Sequence, residues 1–145
     1  MSMLSVASNA SAWRGYEYYE AKKVLSWKQT GSHEFQGTVA GSEKEPYAVT
    51  IDTEHPKRSI CNCPHADGKR IICKHKVALF FAVFPKEAER YMAEIEEYEK
   101  EEEQREQECY DRIAKYVKGL SKEELRIALI QALMEAEERD GYGCW

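Results

Sequence analysis

The pattern of hydrophobic and polar residues divides the chain into a strand-forming first half and a helical second half. In the first half, apolar and polar residues alternate at period two in three short runs, which is the spacing of strands with one buried face. Residues typical of turns separate the runs, so the pattern predicts a three-stranded antiparallel meander. The apolar positions of the three runs are Leu25 and Trp27, then Phe35 and Val39, then Tyr47, Val49 and Ile51.

A short apolar helix is predicted to cover the packed face of this meander. Between Cys73 and Phe84, apolar residues recur at spacings of three and four, as they do on the buried face of a helix. Pro85 follows directly and marks the end of the helix or a kink. The expected fold class is α+β, with an α-helical extension after the helix.

The helical extension is expected over residues 86–145. A Glu-rich segment runs from Lys86 to Cys109, and a second helical segment is expected to end at Gly119. Ser121 and Glu124 have the spacing of a capping box at the start of a third segment. The connection between the last two segments is short, which favours an antiparallel pair of helices.

Composition and charge support a division into three parts. Residues 1–12 are small and polar, so we expect a mobile tail there, followed by a folded module over residues 13–85. Residues 1–85 carry a net charge of +3, whereas residues 86–145 carry −8. No apolar run is long enough to cross a bilayer, and the first residues lack the pattern of a secretory signal. We therefore expect a cytoplasmic protein without a membrane segment.

Four residues in two tight pairs form a candidate metal site. Cys61 and Cys63 are separated by one residue, as are Cys73 and His75, and nine residues lie between the pairs. A one-residue gap on a strand directs both side chains to the same side, and the second pair lies where a loop becomes a helix. Three thiolates and one imidazole are ligands that Zn²⁺ takes in closed structural sites. The pattern predicts bound zinc at these four residues.

Other interpretations of these residues are weaker. His65 is a rival ligand, although a position at the surface or beside the ligands is favoured. A redox dithiol favours the spacing C-x-x-C, which Cys61 and Cys63 lack. Cys109 and Cys144 are expected to be free thiols outside the zinc module. A catalytic zinc normally keeps one position for water, and no catalytic motif is found elsewhere, so we expect no enzyme.

The ligand pattern resembles the SWIM-type zinc finger, whose signature is C-x-C-x(n)-C-x-H. The sequence RGYEYYEAKKVLSW is similar to the aromatic segment of that family, and HKVALFFAVF is similar to its ligand-bearing helix. The resemblance covers Arg14 to Phe84. It implies metal roles for the four predicted ligands and a compact module that binds nucleic acid or protein. Lys22 stands where the resemblance leads us to expect glycine, so the turn there is expected to differ.

The segment around the ligands is basic and is a candidate surface for nucleic acid. Between Lys57 and Lys76 there are six cations and one carboxylate, Asp67. Such a surface can neutralise the phosphates of DNA or RNA. The alternative is a protein-interaction module without nucleic-acid binding, and the acidic helices favour a protein partner over nucleic acid. The six cations are Lys57, Arg58, Lys69, Arg70, Lys74 and Lys76.

Overall fold

The computed structural model describes residues 2–141 and has the predicted α+β fold. The chain clusters into two compact units, with the division between Glu94 and Ile95. The elements, in chain order, are α1 (Met3–Val6), α2 (Asn9–Glu20), β1 (Val24–Gln29), β2 (Glu34–Val39), β3 (Tyr47–Asp52), a 3-10 turn (Pro56–Arg58), β4 (Ile60–Cys61), α3 (Lys74–Val83), α4 (Pro85–Lys118) and α5 (Lys122–Asp140).

The sheet confirms the predicted meander and adds one short strand. Its order is β1-β2-β3-β4, and every neighbouring pair is antiparallel. β4 has only two residues, too few for an alternating pattern to reveal it. The register between β1 and β2 shifts between Val24 and Ser26, and Leu25 is 60% exposed. Val24 therefore packs against the core in place of Leu25, which was expected there.

The covering helix α3 is buried on nearly every side, as residues 75–81 show. It lies against the inner face of the sheet at Gly37. A β-carbon on Gly37 would lie 2.6 Å from the Ser26 carbonyl oxygen and 2.8 Å from Cδ1 of Leu79. Only glycine allows the sheet and the helix to approach this closely.

The N-terminal segment is folded, so the prediction of a mobile tail over residues 1–12 is wrong for residues 2–12. Ser2 and Ser8 cap α1 and α2 through their side chains. Met3 is 1% exposed and belongs to the core, where the Ser59 hydroxyl donates to its sulfur at 3.8 Å. The tail was expected because the segment has few large side chains, but Met3 packs against residues distant in sequence.

Lys22 lies in the turn after α2 and has a backbone conformation that is unusual for lysine. Lys22 has φ +55°, the left-handed conformation that glycine adopts at least cost. The Lys22 N–H donates to the Tyr19 carbonyl, and the Lys23 N–H donates to the Tyr18 carbonyl, each at 3.0 Å. These two bonds form a Schellman motif, which ends the helix and turns the chain into β1. Lys22 therefore keeps a glycine-type turn without the glycine.

The C-terminal helices differ from the prediction in their division. The two segments predicted between Lys86 and Gly119 form one continuous helix, α4, and the first compact unit includes its beginning because Ala88 and Tyr91 pack on the core. The capping box of Ser121 and Glu124 is present at the start of α5. α5 buries none of its residues. This differs from the expectation that the last two helical segments pack as an antiparallel pair. No helix within residues 2–141 is long and apolar enough to span a bilayer.

Candidate metal centre

The four predicted ligands are carried by β4 and by the start of α3. Cys61 ends β4 and Cys63 follows one residue later. Cys73 is the N-cap residue of α3, and His75 is the second residue of that helix. All four are buried, and the three cysteines form no disulfide. The structure thus brings together the pairs that the spacing indicated.

Local hydrogen bonds fix the first pair against β3. The side chain of Asn62, between the two cysteines, accepts from the Ala48 N–H at 3.0 Å and so continues the strand pairing beyond β4. The Cys63 carbonyl then accepts from the N–H groups of Ala66 and Asp67, at 3.1 and 2.9 Å, which begins the turn after the ligands. Cys61 and Cys63 are therefore held at the end of a paired strand, where their side chains can converge.

The distances among the donor atoms fit one four-coordinate ion. The Nδ1 atom of His75 lies 3.8 Å from Sγ of Cys61 and 3.9 Å from Sγ of Cys73. All four ligand atoms lie within 4.8 Å of one another. A tetrahedral zinc with bonds of about 2.3 Å to sulfur and about 2.0 Å to nitrogen separates its ligand atoms by roughly 3.5 to 3.8 Å. The cluster is therefore spaced for a single metal ion of this kind.

The His75 ring is oriented by aromatic packing. Its centroid lies 4.7 Å from the Tyr47 ring and 5.5 Å from the Tyr18 ring. Its Nε2 atom is buried and has no hydrogen-bond partner within residues 2–141, whereas Nδ1 faces the sulfurs. The two tyrosines hold the ring so that Nδ1 is the nitrogen available to a metal. The aromatic density of the first segment was visible in the sequence, but its contact with the ligand histidine was not.

The thiol pKa values reflect the close approach of the sulfurs. A hydrogen bond from Cys61 lowers the pKa of Cys73, and His75 and the backbone N–H of Lys76 lower it further. The same hydrogen bond, together with burial, raises the pKa of Cys61. The two opposite shifts have one cause, the hydrogen bond between the Cys61 and Cys73 side chains. Thiols must lose their protons to bind a metal ion, so metal binding becomes weaker as the pH falls.

The comparison with known families agrees with this geometry. A family model described as SWIM zinc finger matches residues 47–84, which run from β3 to the end of α3. Residues 47–84 are thus similar to a SWIM zinc finger. Searches of curated proteins and of solved structures give no match. The match covers about a quarter of the chain, and α2, β1 and β2 lie outside it although they pack on the same core. SWIM zinc fingers are binding modules and not an enzyme family.

The remaining histidines and cysteines lie outside the finger's ligand cluster. His65 is exposed and lines a cavity of about 260 Å³ together with Cys63, Cys73 and His75, but it is not among the clustered ligands. Its expected position beside the ligands thus agrees with the structure. Cys109 is exposed on α4. Cys144 lies outside the described residues.

The basic residues around the SWIM zinc finger are not all at the surface. Lys57, Arg58, Lys69 and Arg70 are exposed. Lys74 is half-buried, with its ammonium 4.6 Å from the centroid of the Tyr18 ring. Lys76 is fully buried, so its inclusion among the nucleic-acid contacts is wrong. The sequence placed Lys76 in a basic run, but the helical phase of α3 turns its side chain inward.

Three of the exposed cations converge on one surface cavity. Lys57 and Arg58, from the 3-10 turn, and Arg70, from the loop before α3, line a cavity of about 430 Å³. Glu54, His55 and Pro56 complete its wall. We call the surface of Lys57, Arg58 and Arg70 the basic cleft. It joins two segments of the finger that are separated in sequence.

Proposed function

We propose that this chain is a non-enzymatic adaptor whose SWIM zinc finger holds zinc and contacts DNA or RNA through the basic cleft. The observation that carries the proposal is the convergence of Lys57, Arg58 and Arg70 on one surface cavity. Most contacts of nucleic-acid-binding proteins go to phosphate and sugar, and arginine and lysine make many of them. Clustered cations on a folded scaffold support such contacts.

Zinc has a structural role in this proposal. Three buried cysteine sulfurs and one imidazole would fill the four positions of a tetrahedral ion and would leave none for water. The metal would tie β4 to the start of α3, and so close the sheet and its covering helix into one unit. A closed centre of this kind offers no site for a substrate. The ligand set therefore supports a binding function and not a catalytic one.

Elemental analysis of purified protein tests the metal assignment. We expect one equivalent of zinc in the wild type, and loss of stoichiometric zinc in Cys61→Ser and in His75→Ala. Cys109→Ser is the matched control, because Cys109 is an exposed thiol outside the cluster, and it should retain the full equivalent. Full zinc retention in both ligand variants would contradict the ligand assignment.

The nucleic-acid proposal makes a prediction about salt. Four cations of this segment are exposed: Lys57, Arg58 and Arg70 of the basic cleft, and Lys69, which precedes Arg70 in the sequence. If each neutralises one phosphate, the logarithm of the binding constant falls with the logarithm of salt concentration at a slope of about −3 to −4. Fluorescence anisotropy with a short labelled duplex and a labelled single strand, over a salt series, measures this slope for both kinds of nucleic acid.

Charge reversal tests whether the basic cleft makes the contacts. We expect the double substitution Lys69→Glu and Arg70→Glu to weaken binding by at least tenfold and to make the salt slope shallower by about 2. Lys28→Glu with Lys44→Glu is the matched control, since it changes the net charge equally at exposed positions away from the cleft. No binding by the wild type at low salt, or equal losses in both double variants, would refute the nucleic-acid role.

Protein interaction is the second candidate function, and α5 favours it. Six large apolar side chains of this helix are between 37% and 63% exposed, and a helix that is apolar on several sides is normally covered by protein. Co-purification followed by mass spectrometry distinguishes this candidate from nucleic-acid binding. The six residues are Leu125, Ile127, Leu129, Ile130, Leu133 and Met134.

A further inference from the structure

Lys76 is among the largest side chains that residues 2–141 bury completely, with an exposed fraction of 0%. It follows the ligand His75 and lies three residues after the ligand Cys73. Lysine is rarely buried without an opposite charge, because removing an ammonium from water is costly. The position of Lys76 within the core therefore requires a specific compensation.

No carboxylate within residues 2–141 forms an ion pair with Lys76. Burial lowers the pKa of Lys76, and the sulfurs of Cys73, Cys61 and Cys63 act against that shift. One divalent ion with three thiolates and a neutral imidazole has a net charge of −1. Adding the Lys76 ammonium gives a buried assembly with no net charge, which avoids the cost of an uncompensated ion.

The Lys76 side chain also makes a contact that shapes the ligand loop. Its Nζ atom donates to the Ile71 carbonyl at 2.6 Å. This bond links α3 to the loop residue that lies two positions before Cys73. The backbone N–H of Lys76 also hydrogen-bonds to the Cys73 side chain and lowers the pKa of that thiol. The segment that delivers Cys73 is thus held by the same residue at two points.

We propose that Lys76 is a positioning residue of the metal centre, which compensates the charge of the three thiolates and fixes the loop that carries Cys73. It acts through the ligands and does not touch the metal. Its role is independent of whether the finger binds nucleic acid. The exposed lysines of the same segment cannot substitute for it, because solvent screens their charge.

Two substitutions at this position separate charge from packing. Lys76→Met keeps an unbranched chain and removes the charge, whereas Lys76→Arg keeps the charge but is bulkier. Lys69→Met is the control, since it removes an exposed lysine from the same segment. The measurement is zinc affinity by competition with a chelator, supported by the absorption bands of the Co²⁺-loaded protein, which report the geometry of the ligand set.

We expect Lys76→Met to weaken zinc affinity by about 10- to 100-fold, as the loss of groups that support metal ligands does. Lys76→Arg should lose less than Lys76→Met, and Lys69→Met should stay within about twofold of the wild type. A role in packing alone predicts the opposite order, because methionine fits a buried site better than arginine. If Lys76→Met binds zinc as tightly as Lys76→Arg, or if neither variant folds at saturating zinc, the proposal is wrong.

Discussion

The contact between α2 and α3 at Gly15 leads to a quantitative prediction. Gly15 is buried in α2 and faces Val77 of α3, the helix that carries Cys73 at its cap and His75 in its first turn. A β-carbon on Gly15 would lie 2.4 Å from Cβ of Val77 and 2.5 Å from its Cγ1 atom. The substitution Gly15→Ala therefore forces the two helices apart.

The magnitude follows from this geometry. Carbon atoms pack at about 3.5 Å or more, so the helices must separate by roughly 1 Å. Both contacted atoms lie close to the backbone of α3, and no flexible side chain can move aside. Overpacking of a core costs about 1 to 3 kcal/mol, and the upper end applies here. Alanine recovers about 1 kcal/mol of helix propensity over glycine, which leaves a net loss of about 2 kcal/mol.

Urea denaturation of the zinc-saturated protein, followed by tryptophan fluorescence, measures the effect. We expect the midpoint of Gly15→Ala to fall by about 1 to 2 M, given the usual dependence of unfolding free energy on urea for small domains. Gly31→Ala is the control, because its β-carbon would meet nothing closer than 3.4 Å. A Gly15→Ala midpoint equal to that of Gly31→Ala would refute the close helix contact.

Three further predictions concern the turn, the N-terminal segment and the metal. Lys22→Gly should stabilise the protein by about 0.5 to 1 kcal/mol because it relieves the left-handed backbone, whereas Lys23→Gly should destabilise it; urea midpoints that move together would contradict this. Met3→Ala should cost about 2 kcal/mol and the exposed Met134→Ala almost nothing by the same assay, unless residues 2–12 are unfolded. Chelation should unfold residues 47–84 and leave most helical circular dichroism of α4 and α5; complete loss of the helical signal would be inconsistent with this expectation.

The metal centre could be predicted from the sequence because its information is local. Cys61 and Cys63 share one side of an extended segment, and Cys73 and His75 straddle a helix start, so spacing alone identified four ligands that the structure clusters. The strands were predicted for a similar reason, since alternation at Phe35 and Val39 is a short-range pattern. Features set by neighbouring residues are readable from a single sequence.

The features that sequence missed depend on contacts between distant residues. Met3 is buried where it contacts Ser59, and no local sequence pattern predicts this contact. The sequence indicated that Lys76 is one of several surface cations. Because α3 is buried on almost every side, hydrophobic periodicity does not show which face of this helix is exposed. In both cases the tertiary packing, and not the residue type, determines exposure.

The closeness of the ligands along the chain has a consequence for how metal affinity relates to stability. Cys61 and His75 are only 14 residues apart, so the unfolded chain can close a loop of this length within about 100 ns and present all four donors to a metal. We therefore expect zinc to bind the unfolded chain too, although with lower affinity than the native chain. By linkage, only the difference between these two affinities stabilises the fold, so the stability gained from zinc is smaller than the native affinity alone would give.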